Sequence, residues 1–195
     1  MTDDRHLVET ATDRTELLRG HFLHAVRETV CLPDGGSAVR EFILHPGAVM
    51  MIALLDDGRV VLERQYRHPV GQVMVEFPAG KLDPGEAVQA CAERELREET
   101  GYVAREWARA GRLHPCIGYS NEFIEVWFAR GLSLGERRLD DGEFLDVITA
   151  TPAQLLAWCR DGRVTDGKTL TGALWLQNVL SGAWKLDWQA QSGQP

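Results

Sequence analysis

The stretch Gly80-Lys-Leu-Asp-Pro-Gly-Glu86-Ala-Val-Gln-Ala-Cys-Ala-Glu93-Arg94-Glu95-Leu96-Arg97-Glu98-Glu99-Thr100-Gly101 decides how the chain is read. Its opening, with Asp83-Pro84-Gly85, is turn chemistry. The spacing then predicts a helix from near Glu86 to Gly101, where glycine supplies a left-handed stop. On that helix Glu95, Glu98 and Glu99 stand at i, i+3 and i+4 and share one face. Val88, Ala92 and Leu96 fall on another face and pack inward. The acidic face is costly. Like charges at this spacing repel by about 0.2–0.5 kcal/mol per pair. They also crowd the negative end of the helix dipole, where cations are favoured. Arg94 and Arg97 relieve only part of this. The charge pattern leaves two readings: a solvated surface, or a seat for a hard divalent cation, which takes oxygen ligands and would remove both penalties.

Working outward, Ala48 to Leu55 is almost wholly apolar and reads as a strand buried on both faces. Asp56-Asp57-Gly58 turns the chain into a second strand, Arg59 to Tyr66, and Val73 to Phe77 makes a third. Beyond the helix, Glu122 to Arg130 and Phe144 to Thr149 read as strands. Thr151-Pro152 opens a short helix ending by Gly162. A last helix carries Leu170, Leu174, Trp175 and Val179, and the tail after Trp188 reads as loose. Toward the N-terminus, His21 to Cys31 and Val39 to His45 form a hairpin about Pro33-Asp-Gly-Gly36. Residues 1–20 read as a polar, partly helical lead-in. His45-Pro46-Gly47 is a break. We therefore expect an N-terminal lead-in and β unit over 1–46 and a main domain over 47–195. The fold class is α/β with hairpins and few crossovers.

The whole chain has 195 residues, a formal net charge of −8 and 44% hydrophobic residues. That is enough to bury a core without staples, and too ordered in composition for a disordered protein. No dense Lys/Arg run offsets the acidity, which argues against nucleic-acid and membrane partners. Cys31, Cys91, Cys116 and Cys159 are widely spaced and read as reduced thiols. The N-terminal stretch lacks an apolar signal segment, so the cytoplasm is expected. None of the six histidines forms a metal-binding spacing. Residues 80–102 carry six acids against three bases, and residues 140–146 add four acids and no base. Most of the excess charge thus matches two short segments.

The quoted stretch resembles the Nudix box, G-x5-E-x7-R-E-U-x-E-E-x-G-U, where U is bulky and apolar. Gly80, Glu86, Arg94, Glu95, Leu96, Glu98, Glu99 and Gly101 fit at the correct spacing, and Tyr102 takes the last position in place of the usual aliphatic residue. The resemblance implies an α/β/α sandwich that hydrolyses nucleoside diphosphates linked to another moiety, using Mg2+ or Mn2+. It implies Glu95, Glu98 and Glu99 as metal ligands, joined by the carbonyl of Ala79. It also implies that Gly80 closes the site, Arg94 orients Glu95, and Glu86 pairs inside the loop.

Flanking segments are similar to the ADP-ribose pyrophosphatase branch. Gln65-Tyr66-Arg67 and Glu76-Phe77-Pro78-Ala79-Gly80 imply that Arg67 meets substrate near the phosphates, or is a plain surface residue of its strand. Asp141-Gly142-Glu143-Phe144-Leu145-Asp146-Val147 resembles an acidic loop whose glutamate is the general base or completes the metal site. Glu143 is the candidate, with Asp140, Asp141 and Asp146 as alternates. Gly118-Tyr119-Ser120-Asn121-Glu122 makes Glu122 a candidate for substrate, metal or water contacts, against a plain solvent-facing acid at the start of a strand. The branch implies a homodimer in which the N-terminal β unit crosses to the partner and helps to bind the base. Arg40 and Arg27 are candidate anion contacts there. No tryptophan precedes Trp107, so Phe22 and Phe42 are the aromatic candidates for stacking, although both read as core. Pro115 keeps the first proline of the branch's Pro-x-Pro-Gly pattern, and Ile117 replaces the second. The expected substrate is ADP-ribose, with GDP-mannose and other sugar nucleotides, or ligand sensing without turnover, as alternatives.

Overall fold

A computed structural model describes residues 3–191. The chain divides into two compact units, residues 1–46 with 116–123, and residues 47–115 with 124–195.

In the first unit, β1 (Thr10–Arg19), β2 (His24–Cys31) and β3 (Ser37–Ile43) form an antiparallel sheet in the order β1-β2-β3. The hairpin between β2 and β3 turns at 32–36, closed by the Gly35 N–H donating to the Leu32 carbonyl. β1 corrects the partly helical reading of residues 1–20. Every residue of it is exposed, so it has no apolar alternation. Its regularity comes from pairing with β2, which sequence periodicity does not register. Phe22, expected in the core, is exposed and meets His45 edge-on. Residues 116–123 belong to this unit through hydrogen bonds from Ile43 N to the Tyr119 carbonyl and from His45 N to Asn121 Oδ1.

The second unit is built around β4 (Ala48–Ala53), all of whose residues are buried. β5 (Val60–Arg67) and β6 (Gln72–Glu76) follow as a hairpin, and β7 (Ala79–Lys81) returns antiparallel to β4. Next come α1 (Val88–Thr100), β8 (Tyr102–Leu113), β9 (Ile124–Leu134) and β10 (Leu145–Ala150). The helices α2 (Pro152–Arg160) and α3 (Gly167–Leu180) and the short β11 (Gln189–Ala190) end the described chain. One sheet runs β11-β8-β9-β4-β7 and the other β10-β5-β6. The β4–β9 pair is parallel and its neighbours are antiparallel.

β4 explains the layering. Successive strand residues point to opposite faces. Met50 and Ile52 join the cluster with Phe77, Leu155, Ala173 and Leu176, on the side of α2 and α3. Val49 and Met51 join Cys91, Ala92, Leu96 and Trp107, on the side of α1. The result is an α/β/α sandwich, and the apolar run of β4 is the signature of a strand covered on both faces.

Three sequence expectations change. β8 was not foreseen, because YVAREWARAGRL mixes charges into its alternation. β9 begins at Ile124, so Glu122 lies in the preceding loop rather than opening the strand. The tail is not wholly loose, since Gln189–Ala190 pairs with Trp107 and Glu106; residues 192–195 lie outside the described residues. No disulfide joins the described cysteines, and no described helix is long and apolar enough to cross a membrane.

Candidate active site

The quoted stretch folds as strand, turn and helix. β7 is held by its pairing with β4, which sets Gly80 opposite Val49, and Met51 N donates to the Pro78 carbonyl. A turn closes from Glu86 N to the Asp83 carbonyl before α1 begins. The helix ends at Gly101, whose φ of 77° is the left-handed conformation glycine adopts without strain. A Cβ at Gly80 would collide with the Glu95 carboxyl group, so the bare backbone of β7 is what lets Glu95 lie against it.

Arg94 is the hub of the acidic helix face. It donates from Nε and Nη2 to Glu86 at 2.9 Å each, and from Nη1 to Glu95 at 2.9 Å and Glu98 at 3.0 Å. The fork geometry of guanidinium makes such multiple recognition possible. Arg94 holds the Glu86 carboxyl down at about 2, helped by the Asp83 N–H against a smaller cost of burial. The same contacts raise Arg94 itself.

Glu99 is different. It is 5% exposed, and one oxygen accepts from the Ala79 N–H at 3.1 Å. Burial pushes its carboxyl well up, and the charges of Glu63, Glu95 and Glu143 add to this in that order. Glu95 is also raised, chiefly by burial, with Arg94 opposing and Glu98 and Glu143 adding. The acidic loop is tied to the C-terminal end of α1. Arg137 donates to the Glu99 carbonyl at 2.6 Å and to the Leu145 carbonyl at 2.7 Å, and Arg138 N donates to the Glu98 carbonyl at 3.1 Å. Glu143 in this loop accepts from Gln65 Nε2 at 3.2 Å.

Arg67, at the end of β5, donates to both oxygens of buried Glu76 at 2.7 and 2.9 Å. Lys168 from α3 also pairs with Glu76, and with Asp166 at 3.0 Å. Burial pushes Glu76 up, but these two cations outweigh it and leave its carboxyl below the usual range. Asp166 caps α3 by accepting from Thr169 N at 2.9 Å, and Thr169 Oγ1 accepts from Phe77 N at 3.0 Å. The start of α3 thereby secures the strand that leads into Gly80.

The second unit thus brings together Ala79, Gly80, Arg94, Glu95, Glu98, Glu99 and Glu143, with Arg67 on the neighbouring strand end. Arg40 and Glu122 lie in the first unit. Arg40 is engaged with Glu9, at 2.9 Å from Nε, and Glu122 stands 3.8 Å from His45 Nε2. Sequence reasoning missed Glu63, Lys168 and Asp166. Glu63 had a legible signal: it shares a strand face with Val61, which packs in the α1-side cluster, so it is a carboxylate at an inward position. Lys168 had none, being 92 residues from its partner Glu76. A groove of about 360 Å³ is lined by Arg64, Tyr66, Val73, Leu139 and Phe144. Arg64 and Tyr66 alternate with Glu63 and Gln65, so the groove, which Asp146 also lines, opens on the other face of β5 from Glu63.

A NUDIX domain profile matches residues 44–170. The chain belongs to the NUDIX family. An ADP-ribose pyrophosphatase of Bacillus subtilis (strain 168) is 35% identical to this NUDIX chain over 175 residues, covering 89% of it and 95% of the relative. A methanol dehydrogenase activator of Bacillus methanolicus is 38% identical over 176 residues, covering 88% and 94%. The NUDIX fold is shared with the crystal structure of an ADP compounds hydrolase, at a TM-score of 0.80 and 22% identity over 90% of this chain and 95% of that one.

The donors on this NUDIX helix are all oxygens, and a hard cation suits them. Among the described residues no three His, Cys, Asp or Glu side chains already stand as a cage. Glu95 and Glu98 are turned to Arg94 instead. The Glu95 carboxyl group seated against Gly80 and the buried carboxyl of Glu99 are the oxygen donors that fit a cation here.

Proposed function

We propose that this NUDIX chain is a divalent-cation-dependent hydrolase of the pyrophosphate bond in nucleoside diphosphate sugars, with ADP-ribose as its first substrate. The observation that carries the reading is Glu99, a buried carboxylate held by the Ala79 N–H, on the same helix face as Glu95, whose carboxyl group fills the space beside Gly80. Carboxylates taken out of water on one helix face call for a cation far more than a packed core calls for them.

Glu95, Glu98 and Glu99, with the Ala79 carbonyl, would hold Mg2+ or Mn2+. When bound, the ion neutralises pyrophosphate charge and acidifies the attacking water. Arg94 orients Glu95 and Glu98, the carboxylates that would hold the ion. Arg67 binds a substrate phosphate with the exposed part of its guanidinium. Glu143 takes the proton from water as its oxygen bonds to phosphorus and the bridging P–O bond breaks. ADP-ribose then yields AMP and ribose 5-phosphate. Arg40 and Glu122 are further candidates for substrate contacts, and the N-terminal β unit builds a homodimer. We divide the chain into that unit, residues 1–46, and a hydrolase domain, residues 47–195. The reduced cysteines suit the cytoplasm. Net acidity excludes nucleic acid and anionic membranes as partners.

The test is a panel of ADP-ribose, GDP-mannose, dinucleotides and nucleoside triphosphates, assayed with Mg2+ or Mn2+ and with product identification. Release of AMP and ribose 5-phosphate, abolished by chelator, is expected. Preference for GDP-mannose would move the substrate within the sugar nucleotides, and preference for triphosphates would remove the reading. Tight ADP-ribose binding without turnover would make the chain a sensor.

A further inference from the structure

Glu63 lies outside the family motif, on β5. Its register neighbours are Glu76 on β6 and Val147 on β10. It is 3% exposed, and its Oε1 is buried without a hydrogen-bond partner. Such an oxygen is expensive, since a buried polar group without a partner loses its hydration uncompensated, and a charge loses more. Packing alone does not ask for it. The Val61 side of β5 faces the cluster of Cys91, Ala92 and Leu96, where a valine at position 63 would serve the sheet better.

The surroundings say what the oxygen is for. The carboxylates bearing on Glu63 are Glu143 and Glu76, and the cations that partly offset them are Arg137 and Lys168. Arg137 is already committed to the carbonyls of Glu99 and Leu145, and Lys168 to Glu76 and Asp166. The two strands that flank Glu63 both lead to Glu99: Ala79, three residues beyond Glu76, donates its N–H to the Glu99 carboxyl, and Arg137 joins the Glu99 carbonyl to that of Leu145 at the head of β10. Arg94 holds Glu95 and Glu98, whereas Glu63 and Glu99 are the more deeply buried carboxyls.

We propose that Glu63 is a metal-binding carboxylate, supplied by β5 to the same divalent-cation site as Glu99. This rests on reading Glu95, Glu98 and Glu99 as that site. It gives the cation an anchor on the sheet as well as on the helix. Arg94 can then keep part of its hold on Glu95 and Glu98 while the ion is bound.

The experiment measures Mn2+ binding to the full chain without substrate, by titration of free Mn2+ in electron paramagnetic resonance, alongside the Mn2+-induced shift in Tm. Wild type, Glu63→Gln, Glu63→Val and Glu99→Gln are compared. Both Glu63 variants are expected to bind Mn2+ about 10–100-fold more weakly, the range seen when a metal site loses a supporting group. Their Tm without metal should equal or exceed that of wild type, because a buried unpaired carboxyl is gone. Weakened binding in Glu99→Gln with unchanged binding in both Glu63 variants would overturn this proposal and leave the metal site standing. Unchanged binding in Glu99→Gln, or none in wild type, would remove both. If neither Glu63 variant folds, Glu63 is a structural residue and the proposal falls.

Discussion

A Cβ atom on Gly80 would overlap the carboxyl carbon and both carboxyl oxygens of Glu95. The two residues are fifteen apart in sequence, and their fit sets how closely α1 can approach β7.

Gly80→Ala should therefore injure the chemistry more than the fold. The added methyl displaces Glu95 from its place beside Arg94, while β7 keeps its pairing with β4. We expect kcat/KM to fall by about 100-fold, equivalent to about 2.7 kcal/mol in the transition state. Steady-state kinetics on ADP-ribose with a parallel melting curve check this. Full activity with a normal Tm would show that Glu95 does not need its observed position.

Glu86 should make stability sensitive to acid. Its carboxyl falls from an ordinary 4.5 to about 2, first because Arg94 donates to it. A depressed folded value means that the contribution is whole above 4.5 and disappears as pH drops towards 2. The stability advantage of wild type over Glu86→Gln should be constant at neutral pH and shrink through that window. Urea unfolding at a series of pH values measures it. An advantage that grows on acidification would contradict the Arg94–Glu86 pairing.

Arg67 has two tasks that a substitution would separate. Arg67→Ala leaves buried Glu76 to its pairing with Lys168, a loss of about 1–3 kcal/mol for an under-satisfied buried acceptor. Because Arg67 is itself half exposed, the lower end of that range is expected. Arg67→Lys keeps the charge but not the two-point grip. It should raise KM for ADP-ribose about tenfold with a smaller loss of stability. Unfolding curves and KM values for both variants test this, and unchanged KM in both would limit Arg67 to holding Glu76.

The acidic helix face was legible because its cause is local. Residues three and four apart must share a face, so Glu95, Glu98 and Glu99 were bound to stand together on any helix spanning them. Gly101 as a stop and Thr151-Pro152 as a start are equally local, and both appear. β4 was legible because a strand covered on both faces leaves no polar position to confuse it. β1 and β8 were not. Their order comes from neighbours in the sheet, and charged side chains on open faces erase the alternation that would announce them.

The sequence by itself determined the family motif, the carboxylates that α1 carries and the glycine that precedes them. Only the tertiary structure decided which groups oppose those carboxylates. Arg94 reaches Glu86, Glu95 and Glu98 because a turn folds Glu86 back on the helix. Lys168 meets Glu76 because Thr169 takes the Phe77 N–H. Glu63 is buried on the α1 side of the core because β5 presents its Val61 face there. Charge at one position is a property of a residue. The cost of that charge, and hence its use, depends on burial and on partners that only the folded chain brings near.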